Sequence, residues 1–142
     1  GLAVGYLVDN QNFLKGTKVT TVGVNQAIVD RDSTNTASAS SQSINFLGLT
    51  SSYTSPAATK SILVGGTFSN NTNNSVNLTV EIHDSSSNTA VGLAQKIPVP
   101  AGSSFVISDT GKTLLEANDS VRVYCDSANA IDVSLSVLQG VS

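Results

Sequence analysis

Alternation of apolar and polar residues in the C-terminal half constrains the fold more than any other feature. Successive side chains of a β-strand point to opposite faces, so a strict two-residue period indicates a strand with one buried face. Three such rows are present: Val76, Leu78, Val80, Ile82; Val121, Val123, Cys125; and Ile131, Val133, Leu135, Val137. We expect these rows to form the inner faces of two stacked sheets.

The intervening segments extend the same pattern. Strand-like runs at Ser61–Phe68, Ala90–Val99 and Ser103–Ser108 are separated by clusters of turn-forming residues. The predicted turns are Ser69–Ser75, Asp84–Asn88, Pro100–Gly102, Asp109–Gly111 and Asp126–Asn129. About six strands at this spacing predict an all-β fold, an antiparallel β-sandwich of the jelly-roll or Ig-like kind.

Two local features modify this pattern. The pair Gly65-Gly66 lies inside a strand-like run and is not followed by a helix, so it predicts a bulge or a close strand crossing rather than a phosphate loop. Thr113–Ala117 is the best candidate for a single helical turn. No segment carries a sustained helical stripe of apolar residues.

The first 52 residues differ from the rest, and we predict a division into 1–52 and a sandwich domain at 53–142. Lys18–Val29 reads as a strand, Asp30–Ser43 as a polar loop and Gly1–Leu14 as an extended arm. The arm is rich in apolar residues, and such a terminus usually docks on its own domain or on a neighbouring subunit. Candidate partner-binding residues in the arm are Tyr6, Phe13 and Leu14.

Charge excludes several functions. Only 12% of residues are charged, the net charge is −3, and the 7 Lys and Arg residues form no cluster. Direct binding to nucleic acid or to an anionic membrane is not expected, because both need concentrated positive charge. The 39% of apolar residues and the low net charge also argue against disorder.

Catalytic signatures are scarce, and we do not expect an enzyme. His83 is the only histidine and adjoins Asp84, but no Gly-x-Ser-x-Gly nucleophile motif accompanies it. Glu81 and Glu116 could form an acidic pair only if the fold brought them together. A hydrolase would require His83, Asp84, Glu81 or Glu116 to converge in one cleft, and a solvent-facing strand histidine is the expected role of His83.

Metal and cofactor sites are not predicted either. The segment Asp30–Asn35 resembles the start of a calcium loop, but Asn35 replaces its glycine and Ser41 replaces its bidentate glutamate. The single cysteine, Cys125, is expected to be a buried small hydrophobe. Asn70, Asn73, Asn77 and Asn118 each begin an Asn-x-Ser/Thr sequence, which leaves glycosylation as a minor hypothesis.

The C-terminal part resembles a known group of proteins over about residues 53 to 139. The matching segments are Tyr53–Ala57, Ser61–Asn70, Val76–Asp84, Ile97–Ser104, Leu114–Val121 and Ile131–Leu138. Together they look like the small β-sandwich found among virion structural proteins of tailed bacteriophages. Asn118 occupies the usual glycine position of the turn before Val121, and asparagine still permits a positive φ.

The resemblance implies a protein of the capsid surface, neck or tail, located in the virion, without catalytic residues or cofactors. Its partners would be other virion proteins and further copies of itself, since such subunits occur in symmetric assemblies. The alternative is a carbohydrate- or cell-surface-binding sandwich, such as a receptor-binding or adhesin domain. The scarcity of aromatic residues, with no Trp and 3 Tyr, argues modestly against that alternative.

Overall fold

The computed structural model describes residues 1–14, 16–35, 42–108 and 112–141. These residues form strands and turns, and no helix occurs among them. The strands are β1 (Leu7–Asp9), β2 (Val19–Gly23), β3 (Gln26–Val29), β4 (Asn45–Leu47), β5 (Thr50–Thr54), β6 (Ser61–Asn70), β7 (Val76–Asp84), β8 (Thr89–Val99), β9 (Ser104–Ile107), β10 (Thr113–Leu115), β11 (Ser120–Cys125) and β12 (Ile131–Gln139). The protein is all-β, as the alternation predicts.

The chain divides into two compact units. The first unit comprises Gly1–Leu49 with Asp126–Ala128, and the second comprises Thr50–Cys125 with Asn129–Ser142. The sequence places the division at residue 52, whereas β5, which begins at Thr50, pairs with β11 and so belongs to the second unit.

The second unit contains two antiparallel sheets of four strands each. In the first sheet, β6 pairs with β12 on one side and with β9 and β10 on the other. The second sheet has the order β5-β11-β7-β8. One continuous apolar core takes side chains from both sheets, so the two sheets stack as a sandwich.

The core confirms the predicted inner faces. Val76, Leu78, Val80 and Ile82 are buried on β7. Val121, Val123 and Cys125 are buried on β11, while Leu63 and Phe68 face them from the first sheet. On β12 the inward residues Ile131, Leu135 and Val137 pack against this core but are only partly buried. Their incomplete burial is expected at the edge of a sheet. Val133, the remaining residue of that predicted row, is 36% exposed and is not part of the core, so the row on β12 is confirmed only in part.

One local prediction in this unit is wrong. The segment expected to form a helical turn, Thr113–Ala117, begins with strand β10, which pairs with the start of β6. Leu115 is buried and Leu114 is exposed, so the two leucines follow the two-residue period of a strand. The predicted turn at Asp109–Gly111 lies outside the described residues.

The glycine pair in β6 behaves as predicted. A methyl group on Gly66 would lie 2.6 Å from Leu135 Cδ2, and one on Gly65 would lie 3.1 Å from the Ile107 carbonyl oxygen. The pairing of β6 with β12 also shifts register next to this pair, between Ser136 and Val137. The glycines therefore permit both a bulge and a close approach of neighbouring strands.

A buried serine and a buried aspartate close one end of the sandwich. The Asp119 carboxylate accepts hydrogen bonds from the N–H groups of Ser85 (3.0 Å) and Glu116 (2.9 Å). The Ser55 carbonyl accepts the Asn118 N–H, and the Ser55 N–H donates to the Asp119 carbonyl. Asn118 has φ 69, the positive value that the sequence allowed at this turn.

Asn70 organises the opposite loops from a buried position. Its Nδ2 donates to the carbonyls of Asn74 (2.7 Å) and Val99 (2.9 Å), and its Oδ1 accepts the Thr72 N–H (2.9 Å). Because both ends of the amide are engaged inside the fold, Asn70 cannot carry a glycan in the folded state.

The first unit contains two small sheets, β1 with β4 and β2 with β3. The segment predicted as one strand, Lys18–Val29, is instead a hairpin: β2 and β3 are joined by Val24 and Asn25, and Asn25 has φ 61. The predicted arm is not uniformly extended either. It contains β1, which pairs with β4 and brings Leu7 and Val8 into buried positions.

Candidate partner-binding surface

The first unit exposes more large apolar side chains than it buries. Leu7, Val8 and Val19 are its buried apolar side chains among the described residues. Eight large apolar side chains are exposed: Val4, Leu14, Val22, Val24, Ile28, Ile44, Phe46 and Leu49. We name these eight residues the apolar surface of the first unit. A unit that exposes eight large apolar side chains and buries three is a candidate for binding another molecule.

Tyr6 is held by its own unit. A methyl group added to Gly48 would lie 2.3 Å from the Tyr6 ring, so the ring rests directly on the Gly48 backbone. The Tyr6 carbonyl also accepts the Val19 N–H at 2.9 Å. Tyr6 as a whole is half-buried. The absence of a side chain at residue 48 is what permits this stacking.

Phe13 and Leu14 lie in the turns that follow β1. The Phe13 N–H donates to the Asn10 carbonyl, and the Leu14 carbonyl accepts both the N–H and the hydroxyl of Thr17. Phe13 is half-buried, whereas Leu14 is 57% exposed. Of the three predicted partner-binding residues, Leu14 therefore presents the most surface.

The most exposed apolar side chain in the first unit lies at the tip of the β2–β3 hairpin. Val24 is 91% exposed in the two-residue connection between Gly23 and Gln26. Ile28 is also exposed on β3. The single strand predicted over Lys18–Val29 would place both residues in its interior. Asn25 is the residue that indicates the turn, because asparagine tolerates a positive φ.

The sandwich has a smaller apolar row on the outer face of its first sheet. Leu114 on β10, Ile62 on β6 and Leu138 on β12 are neighbours across the strands. Leu114 is 51% and Leu138 is 57% exposed, while Ile62 is half-buried between them. Local sequence patterns do not reveal this row, because the row depends on the pairing of strands that are far apart in the chain.

The candidate catalytic residues have separate neighbours. His83 Nε2 lies 3.2 Å from Asn88 Oδ1, and the Glu116 carboxylate lies 3.8 Å from Lys60 Nζ. Glu81 and His83 share the outer face of β7, and Glu81 is opposite Arg122 on β11. The described contacts of His83 and Glu116 do not join them to each other or to Asp84.

Hydrogen bonds alter the acidity of the Asp84 carboxylate. Hydrogen bonds from the Ser86 hydroxyl and from Ser87 lower the pKa of Asp84 to about 2. The Ser86 hydroxyl donates at 2.7 Å, and the Ser86 and Ser87 N–H groups at 2.8 and 3.0 Å. The bonds stabilise the ionised form and fix the turn between β7 and β8.

No metal centre is present in the part of the chain that the structure describes, since nowhere do three His, Cys, Asp or Glu side chains gather. In the segment that resembles the start of a calcium loop, Asp30 Oδ1 accepts the Lys18 N–H and lies 3.5 Å from Arg31 Nε. Ser41 lies outside the described residues.

Cys125 is buried, as expected. The described residues include no helix capable of crossing a membrane.

Comparison of the chain with protein-family models, with curated proteins and with solved structures gave no match.

Proposed function

We propose that this chain is a non-enzymatic structural protein of a tailed-phage virion. It binds capsid, neck or tail proteins and other copies of itself, and thereby builds or stabilises the particle. The observation that carries the proposal is the apolar surface of the first unit, which leaves eight large side chains in contact with water.

Burial of that surface supplies a driving force for association. Removal of apolar area from water contributes about 25 cal/mol per Å², so a few fully covered Val, Leu or Ile side chains contribute several kcal/mol. The first unit has little interior of its own in which to bury them. A neighbouring protein would cover them, as expected of a subunit in a larger assembly.

The sandwich supports the proposal in a different way. Its loops are fixed largely by neutral hydrogen-bonding groups such as those of Asn70, Ser55 and Ser61. This arrangement needs neither metal nor disulfide, and it suits a protein that serves as a rigid building block. The resemblance over residues 53 to 139 supports a virion as the assembly that contains this building block.

Electron microscopy of particles that carry an epitope-labelled copy tests the assignment. We expect the label at one repeated position on the capsid surface, the neck or the tail. Particles without label, from cells in which the tagged protein is abundant, would contradict it. Label on the surface of uninfected host cells would favour the carbohydrate- or cell-binding alternative instead.

A variant pair tests whether the apolar surface is responsible. The double substitution L14S/V24S removes two of its most exposed side chains. We expect incorporation into particles to fall at least tenfold while the sandwich stays folded. The matched control is V91S/V106S, which removes two exposed valines from the second unit. Equal incorporation of both double variants would contradict the role of this surface.

A further inference from the structure

The edge strand β12 has little of the usual protection against pairing with another strand. Its pairing with β6 shifts register between Ser136 and Val137, but the extra residue lies in β6, so β12 itself is not bulged. It runs over 9 residues, contains no Pro or Lys, and carries one charged residue, Asp132. Proteins normally block exposed edges with charge, proline, bulges or short length, because an open edge is a template for another strand. In the first sheet, β12 lies at the edge beyond β6.

The other edges of the sandwich are blocked. β8 is interrupted by register shifts, by Lys96 with φ 51 and by Pro98. β9 and β10 have 4 and 3 residues, and β5 has 5 residues with a register shift against β11. The contrast singles out β12 as the edge on which another strand can add.

Two hydrogen bonds show which backbone groups of β12 face outward. The Asn71 N–H donates to the Ala130 carbonyl at 3.0 Å, so the facing pair Asn70 and Ile131 is of the non-hydrogen-bonded type. At the other end of β12 the Gly140 N–H donates to the Lys60 carbonyl at 3.0 Å. The facing pair Gln139 and Ser61 is therefore also of the non-hydrogen-bonded type. By alternation, the N–H and C=O groups of five residues point away from β6: Ile131, Val133, Leu135, Val137 and Gln139.

We propose that β12 pairs antiparallel with β12 of a second copy of this chain, with Leu135 on the two-fold axis. This deepens the self-association part of the proposed function. In this register every outward backbone group meets a partner, because Ile131 faces Gln139 of the second copy and Val133 faces its Val137. About ten main-chain hydrogen bonds form, and the two first sheets become one continuous sheet.

The side chains favour a second copy as the occupant. On the core side, Val133, which is 36% exposed, would meet Val137 of the second copy, and the two Leu135 side chains would meet each other. Branched apolar pairs of this kind stabilise paired strands. On the outer side Ser134 would meet Ser136, which are small and uncharged. The two Asp132 carboxylates would be about 20 Å apart, beyond the range of significant repulsion in physiological salt.

Mixed cysteine variants test both the contact and its register. Ser134 and Ser136 are exposed, and their Cα atoms would lie about 4.5 Å apart across the interface, within reach of a disulfide. S134C and S136C proteins with different tags are mixed and oxidised with glutathione disulfide. We expect the mixed disulfide dimer to form at least tenfold more than in a D132C and S134C mixture, where the separation is about 14 Å. The unmodified chain, whose Cys125 is buried, is the blank.

A charge variant provides an independent readout. S134K/S136K sets lysines directly opposite each other across the interface, whereas N73K/N74K adds the same charge in the exposed loop after β6. Since a single edge buries less area than a standard interface, sedimentation velocity is followed to several hundred micromolar. We expect concentration-dependent dimers with the unmodified chain and with N73K/N74K, and monomers with S134K/S136K.

A chain that stays monomeric throughout this range, dimers that persist in S134K/S136K, or equal cross-linking in both cysteine mixtures would each overturn the pairing. The virion assignment can fail separately. Its test is the incorporation of labelled protein into particles, whereas these measurements use the purified chain alone.

Discussion

Single buried polar side chains fix the loops of the sandwich, and Asn70 is the clearest example. Its amide joins the end of β6 to the loop before β7 and to the end of β8, which are far apart in sequence. The Asn74 and Val99 carbonyls also accept the hydroxyls of Thr72 and Ser75, so the Asn70 amide is the centre of a small hydrogen-bond network. One side chain therefore determines the course of several loop residues.

Replacement of Asn70 by Ala should lower the free energy of unfolding by about 2 to 4 kcal/mol, because the Thr72 N–H loses its acceptor and the Asn74 and Val99 carbonyls each lose a donor. Urea unfolding followed by circular dichroism measures the change. The control is Asn73→Ala in the same loop, where the side chain is exposed and the expected change is within about 0.5 kcal/mol. A similar effect of the two substitutions would refute the role given to the buried amide.

Asp84 provides a prediction on pH. Its pKa is lowered from 3.8 to about 2, so its folded-state bonds contribute fully above pH 3.8 and are lost as the pH falls through about 2. NMR titration of the carboxyl carbon should give a midpoint near 2. Ser86→Ala removes the largest contribution and should move the midpoint up toward 3.8, whereas Ser75→Ala should leave it in place. An unchanged midpoint in Ser86→Ala would count against the proposed cause.

At the scale of elements, β8 shows how a bulge is stabilised. The strand shifts register against β7 between the Leu78–Ile97 and Val80–Ala94 pairs, and Lys96 adopts φ 51. At this register shift the Lys96 N–H donates to the side-chain oxygen Thr79 Oγ1 at 3.1 Å. Thr79 is buried although it lies on β7 between the core residues Leu78 and Val80.

Thr79→Val keeps the shape of the side chain and removes the acceptor. We expect a loss of about 1 to 2 kcal/mol in the free energy of unfolding, because the Lys96 N–H would lack a partner. Amide hydrogen exchange of Lys96 should accelerate correspondingly. Thr67→Val, on the outer face of β6, is the comparison and should change neither quantity appreciably. If Lys96 exchange stayed slow in Thr79→Val, another group would have to satisfy the bulge.

The elements differ in how far sequence predicts them. The row from Val76 to Ile82 was predictable because burial on one face leaves a two-residue period. The β2–β3 hairpin was not divided, because Val24 and Asn25 lack the glycine that usually marks a tight turn. Leu114 and Leu115 were compatible with either a helical turn or a strand, and pairing with β6 decided between them.

At the scale of the whole molecule, the two units have separate sets of buried side chains. Leu7, Val8 and Val19 are buried in the first unit, and no described residue from 1 to 49 belongs to the sandwich core. Of the residues that the sequence predicts to bind a partner, Leu14 is exposed, and its role stays a prediction. The exposed Val24 and the row that contains Leu138 depend on turn geometry and on long-range pairing, which local patterns do not reveal.

Deletion of Gly1–Leu14 should leave the sandwich folded and weaken assembly. It also removes β1 with Leu7 and Val8, so we expect β2 to β4 to lose protection from hydrogen exchange while β6, β7 and β11 keep theirs. Size-exclusion chromatography and particle incorporation report assembly. Unchanged incorporation would refute the role of the segment, and loss of protection in β7 would show that the sandwich needs it.

Among the described residues, the ion pairs Lys60–Glu116 and Arg31–Asp30 lie at the surface, where such pairs contribute little. The sandwich relies on apolar packing and on hydrogen bonds among uncharged groups such as Tyr53, Ser55 and Ser61. Its Asp84 and Asp119 carboxylates accept hydrogen bonds from uncharged N–H or hydroxyl groups. Its urea midpoint should therefore change little between dilute buffer and half-molar sodium chloride. A protein built in this way can keep its shape through abrupt changes of ionic strength in its surroundings.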